Sequence, residues 1–488
     1  RRGAGLTRER RRDAQARLAR GVSRLRSTCA HPQTLERIRC AGPGGGTPGG
    51  GVGALARRAD LCVCTFRQPP LWLSRRHVAR ARAARAVAAM AESSAPKRRI
   101  RYYLDPKIGI HSSPEASLLK PHVIRLTDEL VKAYGLQEHM TLCEAGSDAL
   151  PLLSPDEACR FHTDAYVRFL QQIATHGADI ADDAASYAIN NSVCFSETAW
   201  EYAQVYAGAS VEAANCLASG VSDIGINWIG GQTHARRDGA AGFSYVNDAV
   251  LAILAMLRVQ ERVMFVNVDA WHCSGVEEAF YTTDRVLSVS LHRHAEGFFP
   301  GSGDGKDTGA GGGVHHSINL PVAEGLTDDE LEALFAPVVA AAAERFQPAC
   351  IVYCAGAGIL SGDRLGCMNA SIAGFGRCLQ AVIDLGRPLL VLGAGGFNQT
   401  NTARAWCHAT GMLCAEKLAD ELPAHDYVDY YLPHSTLDVP AVNMTNKNTA
   451  ESLKATLEAG LATAGQIPQR PPAPKLTPKP AAATEGAA

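Results

Sequence analysis

Four short stretches of this 488-residue chain hold the side chains that could do chemistry. Residues 262–281 read RVMFVNVDAWHCSGVEEAFY and bring Asn267, Asp269, His272 and Cys273 close together in sequence. GGQTHARRDGAAGF at 230–243 carries His234, CAGAGILSGDRLGC at 354–367 carries Cys354, and GAGGFNQTNTARAW closes the set at 393–406. By residue type, a carboxylate with imidazoles and thiols could hold a metal ion. A Cys near His234 could instead be a nucleophile with its base. Spacing weakens the metal reading, because odd separations alternate faces in an extended segment and turn His272 away from Asp269. Asp269 alone fits an acceptor for backbone amides or a structural cation. His234 alone reads as a semi-buried His rather than a base.

These stretches must be positioned by an alternation of short apolar runs and longer helical patterns. Strands are predicted at 100–105, 141–145, 223–228, 262–269, 286–291, 317–322, 349–356 and 388–396, all rich in Val, Ile and Leu. Helices are predicted near 121–135, 155–172, 197–218, 245–258, 327–345, 371–384 and 400–418. Near-continuous apolar strands alternating with helices imply one parallel sheet covered on both faces. In such a sheet ligands bind at the carboxyl ends of the strands, where all four stretches fall.

Charge is distributed unevenly behind a net of −1. Residues 1–89 hold 20 Arg, no Lys and 4 acids, and the remainder holds 28 basic and 45 acidic residues. The acidic body would not bind nucleic acid by charge. Fifteen Cys, an odd number without a CxxC pair, several of them in apolar runs, suit buried thiols in a reducing, intracellular setting. No apolar run reaches the length of a membrane span. Residues 1–97 form a basic, Gly/Arg-rich leader expected to be disordered, with Met90 as the expected true start. The folded body is expected over 98–465, and the Pro/Ala-rich 466–488 as an extended tail.

With LHRHAEGFFPGSGD at 291–304 and LLKPHVIRLTDEL at 118–130, the four stretches resemble the class I histone deacetylases in order and spacing over nearly the whole body. The resemblance implies an α/β fold of the arginase/deacetylase type: a single domain with a central, mostly parallel eight-stranded sheet and helices on both faces. It also implies a zinc held by two Asp and one His, a pair of adjacent His each oriented by an Asp, and a Tyr that stabilises the oxyanion. Against that set, Thr233 replaces one His of the pair and His234 keeps the other. Asn267 and Ser274 replace the two orienting Asp. Asp269 keeps one metal-ligand position, while Trp271 and Gly358 take the other two, and Phe397 stands in place of the Tyr. An indole nitrogen offers no lone pair to a metal.

Gly242, Phe243, Phe299 and Leu365 match positions that line the family's acyl-lysine channel, with Trp271 expected to fill its floor. Lys120 and Arg364 match basic residues of the inositol-phosphate and corepressor contact, where Thr400 replaces an Arg. The rim Asp of the family gives way to Asn191 or Ser192. The expectation is a catalytically inactive pseudo-deacetylase, in the nucleus with the cytoplasm left open, binding chromatin or corepressor proteins or an active relative, with no zinc. A structural monovalent cation stays open. The alternative is an active zinc-dependent lysine deacetylase, and a thiol enzyme using Cys273 or Cys354 with His234 is a third reading.

Overall fold

The computed structural model describes residues 98–108, 122–176, 183–189 and 196–473. The leader, Lys120, Asn191, Ser192 and residues 474–488 lie outside them. All eight predicted strands are present: β1 (Ile100–Leu104), β2 (Thr141–Glu144), β3 (Ile224–Asn227), β4 (Val263–Val268), β5 (Val286–Arg293), β6 (Ser317–Val322), β7 (Cys350–Ala355) and β8 (Leu389–Leu392). They form one sheet in the order β2-β1-β3-β8-β7-β4-β5-β6, and every pairing is parallel. Parallel neighbours need crossovers, which the helices supply. β3, β4, β7 and β8 are buried at every position, so both faces of the central sheet are covered.

Ten α-helices occur among the described residues. They are α1 (His122–Ala133), α2 (Pro155–Ala158), α3 (Asp164–His176), α4 (Ala199–Ala218), α5 (Asp248–Leu257), α6 (Ser274–Phe280), α7 (Asp328–Phe346), α8 (Ile372–Ile383), α9 (Gln399–Leu413) and α10 (Ala450–Gln466). α3, α4 and α5 pack as one set, and α1, α9, α8, α7 and α10 as another. The starts follow local capping chemistry. Thr327 and Glu330 close a capping box on α7, and Asn247, Ser371 and Asn398 accept from the first-turn amides of α5, α8 and α9.

Three sequence expectations are corrected by packing. The helix predicted over 155–172 is two, because Ser154 caps a single turn and the chain turns again at Arg160–Thr163, where the Thr163 amide bonds Arg237. α6 and α10 lie in stretches where no helix was expected. α10 buries Leu453 and Leu457, and its Gly460 lies close against Leu320 and Val338. The body also extends past 465. Ile467 is fully buried and its carbonyl accepts from Arg345, Arg262 donates to the Pro471 carbonyl, and Arg470 pairs with Asp284. The first residues of the Pro-rich end are thus held by arginines of the body. No described helix is long and apolar enough to cross a membrane.

Candidate functional site

The four stretches meet at the carboxyl ends of β3, β8, β7 and β4, the centre of the sheet. β4 ends at Val268 and delivers Asp269 directly into the meeting point. Its Oδ1 accepts the Ala270 amide at 2.7 Å and its Oδ2 accepts the Gly395 amide, from the loop after β8, at 2.8 Å. Burial pushes this carboxyl up to about 7, against the pull of those amides, and the nearby Asp363 carboxylate adds to the rise. Asp269 ties two strand ends together.

Trp271 is buried at 8% exposure. A Cβ placed on Gly358 would come within 2.3 Å of Trp271 Cζ3, and one on Gly395 within 2.6 Å of Cε3 and Cζ3. The benzo edge of the indole therefore fills the space into which a side chain at 358 would grow. Phe397 meets Trp271 edge-on at 5.2 Å and 83°, and Phe298 stacks on it at 6.3 Å and 17°. The Arg293 guanidinium covers the Phe298 ring at 4.0 Å, completing a cation–ring–ring column. Phe298 carries no signal of its own in the sequence beyond its place in the Phe298–Phe299 pair.

His234 packs against Phe299 at 5.1 Å, and its Nδ1 is enclosed without a hydrogen-bond partner. Burial lowers its pKa to about 3, so the ring is neutral. Thr233 beside it is buried. The loop carrying both is stapled by Asn247, whose Nδ2 donates to the carbonyls of Thr233 and Ala235 while Oδ1 caps α5. Asp248 holds the same loop through the Gly231 and Gln232 amides.

His272 turns away from Asp269. Its Nδ1 meets Ser302 Oγ at 2.9 Å and its Nε2 lies 3.4 Å from Glu277 Oε2. Cys273 and Cys354 are buried and touch each other, and burial holds the Cys354 thiol well above its ordinary range. No hydrogen bond joins His234 to either sulfur among the described residues. A thiolate–imidazole pair does not form here. Asn267 Nδ2 donates to the Trp271 carbonyl and to Ser290 Oγ, both at 3.0 Å, a placement that puts an amide N–H group between oxygens that could face a cation. Ser274 opens α6, with its amide on the His272 carbonyl.

Among the residues matched to the family's channel, Gly242 adopts φ +50°, and a Cβ there would meet the His234 ring and Phe299 Cζ at 2.8 Å. Phe243 sits 5.5 Å from Phe397. Phe299 and Leu365 are exposed. Asp363 fixes the turn beside them, accepting the Leu365 and Gly366 amides on one oxygen and the Phe397 amide on the other. Arg364 is exposed on that turn, and Thr400 Oγ1 donates to Asn398.

Residues 118–413 match the histone deacetylase domain. The chain is 40% identical over 359 residues to histone deacetylase HDAC1 of Drosophila melanogaster, covering 73% of this chain and 68% of that protein. The chain belongs to the class I histone deacetylase family. It is also 40% identical over 360 residues to histone deacetylase 19 of Arabidopsis thaliana, covering 73% and 70% of the two chains. With histone deacetylase 1 of Homo sapiens the figures are 37% over 383 residues and 78% of each.

The family is zinc-dependent, and the donor set of this member does not fit that ion. Of the three positions that hold the metal in the family pattern only Asp269 carries a donor side chain, the Trp271 indole occupies the adjoining space, and Gly358 has no side chain. No group of three or more His, Cys, Asp or Glu able to hold a metal occurs among the described residues. Three converging donors are the usual minimum for such a site.

Proposed function

We propose that this histone deacetylase family member is a catalytically inactive pseudo-deacetylase that works as a binding or scaffold subunit in chromatin regulation, in the nucleus. One observation carries the reading: the Trp271 ring lies within 2.3 Å of any Cβ at 358, so indole and a second carboxylate ligand exclude each other. Without the ion there is neither a Lewis acid nor an activated water. Phe397 has no hydroxyl to stabilise an oxyanion, which on its own costs about 10²-fold or more.

The frame around this site is kept, with eight strands in register and the loops stapled by Asn247, Asp248 and Asp363. A surface for corepressor proteins or for an active relative fits that retention, with Arg364 exposed to contribute to it. The relatives are histone deacetylases by name, which favours an active deacetylase as the second reading, and that reading needs metal donors this chain does not place together among the described residues. Zinc content of the full-length purified protein, measured beside hydrolysis of an acetyl-lysine peptide, decides between them. Stoichiometric zinc with turnover overturns the inactive reading.

A further inference from the structure

Asn267, near the end of β4, is fully buried, and its side chain meets two oxygens of other segments. Its Nδ2 donates to the Trp271 carbonyl and to Ser290 Oγ of β5, both at 3.0 Å, while its Oδ1 is enclosed with no hydrogen-bond partner. The surroundings force this orientation. Turning the amide over would set Oδ1 against the Trp271 carbonyl, two acceptors face to face.

The same polarity runs on through β5. The Gly303 carbonyl lies 2.9 Å from His292 Nε2 and can only accept, so that nitrogen carries the proton. The close approach needs the glycine, since φ at 303 is +89° and a Cβ there would fall 2.2 Å from Nε2. Burial holds the pKa of His292 well below its ordinary value, so the ring is neutral and Nδ1 is a bare acceptor. The Ser290 hydroxyl, 2.9 Å from Nδ1, therefore donates to it and turns its lone pairs to Asn267. One relay results: Asn267 N–H to Ser290, Ser290 O–H to His292, His292 N–H to Gly303.

An Asp at 267, as in the family pattern, has no hydrogen with which to start this relay. Its carboxylate would stand buried against the Trp271 carbonyl and the Ser290 lone pairs, an arrangement that needs a cation among the oxygens. Carbonyl oxygens of this kind can replace the hydration shell of K+.

We propose that the amide nitrogen of Asn267 takes the place of a monovalent cation at the carboxyl ends of β4 and β5, so that no such ion binds between Trp271 and Ser290. The residues present do not fit the ion, because N–H groups already point at both oxygens and would repel it. The proposal goes beyond the inactive reading and does not rest on it, since it concerns what joins the strand ends and not what is hydrolysed. Asn267 and the ion are alternatives, and one substitution exchanges them.

The test is urea denaturation of the full-length protein in KCl and in choline chloride at equal ionic strength, for the parent, Asn267→Asp and Ser290→Ala. An ion present at about a hundred times its Kd raises the folding equilibrium constant about a hundredfold. The expected result is that Asn267→Asp is destabilised in choline and regains at least roughly tenfold in its folding constant in KCl, beyond any change the parent shows. Ser290→Ala, which removes an acceptor without adding charge, loses stability equally in the two salts. An Asn267→Asp protein that responds to KCl no more than the parent, or that stays unfolded in both salts, overturns the proposal. A stabilisation of the parent by KCl that Ser290→Ala removes also overturns it, because the ion would then sit at Ser290.

Discussion

The indole of Trp271 and the missing side chain of Gly358 are two halves of one packing arrangement, with Cζ3 2.3 Å from the Cβ that 358 lacks. Each substitution relative to the family pattern makes sense only beside the other. A Trp at 271 requires a Gly at 358, and the Gly at 358 would leave a hole without the Trp. Filling and emptying the same volume preserves core density.

Gly358→Asp should destabilise the protein by about 1–3 kcal/mol, because backbone and indole cannot both move away from a new side chain. In a Trp271→His background the same change should cost less, although Asp269 Oδ1 still stands 2.6 Å from that Cβ, giving a coupling of at least about 1 kcal/mol in a double-mutant cycle. Urea denaturation of the four proteins measures it. Additive losses would mean that the two residues do not share this volume. Trp271→His alone should show no turnover, since Thr233, Gly358 and Phe397 remain.

Stability should respond to pH through Asp269. Its folded pKa, about 7, lies above the unfolded value. The folded state therefore holds a proton that the unfolded chain has released, and stability falls as pH rises from about 4 to about 7, then levels. Asp128, also raised to about 7 by burial, adds to the same window, so the comparison must be with a variant. Asp269→Asn should flatten part of that fall. It should also be less stable than the parent near pH 4–5, since the Asn amide accepts through one oxygen only and strands one backbone N–H. Thermal denaturation across pH 4–8 reads both effects, and an unchanged slope counts against them.

His234 acts in the opposite direction. Its folded pKa, lowered to about 3, lies below the unfolded value, so protonation of the unfolded chain removes stability as pH falls from about 6.5 toward 3. His162, lowered to about 4, behaves alike. His234→Phe should flatten part of the acid limb and remove an enclosed nitrogen that has no partner. Acid titration followed by circular dichroism checks this, and an acid midpoint identical to the parent's would refute it.

Asn247→Ala should cost about 2–4 kcal/mol, because one residue caps α5 and also satisfies the carbonyls of Thr233 and Ala235. Chemical denaturation measures the loss. A change below about 0.5 kcal/mol, the scale of an ordinary surface substitution, would show that the staple is dispensable.

Much of the fold was legible because its determinants are local. Runs such as VMFVNV and CIVYCA, short, apolar and β-branched, read as buried strands and are, and the helix expected from 327 starts there as α7. α6 and the break after Ala158 were not legible, since a seven-residue helix and a single turn carry too little periodicity to register. The docking of Ile467 was hidden for another reason. Its partners Arg345 and Arg262 are distant in sequence, and composition speaks only of what a segment can do alone.

At the site, the sequence by itself determined which donors exist. The side chains of Trp271, Gly358 and Phe397 offer no lone pair to a metal, and that of Phe397 offers no hydroxyl to an oxyanion, in any fold, because that is a property of their atoms. Tertiary structure decided what stands in their place. Only the meeting of four strand ends sets the indole over Gly358 and Gly395, brings Phe298 and Arg293 behind it, and hands both Asp269 oxygens to backbone amides. Those contacts join residues up to 126 positions apart, a distance over which chemistry can be read from sequence but packing cannot.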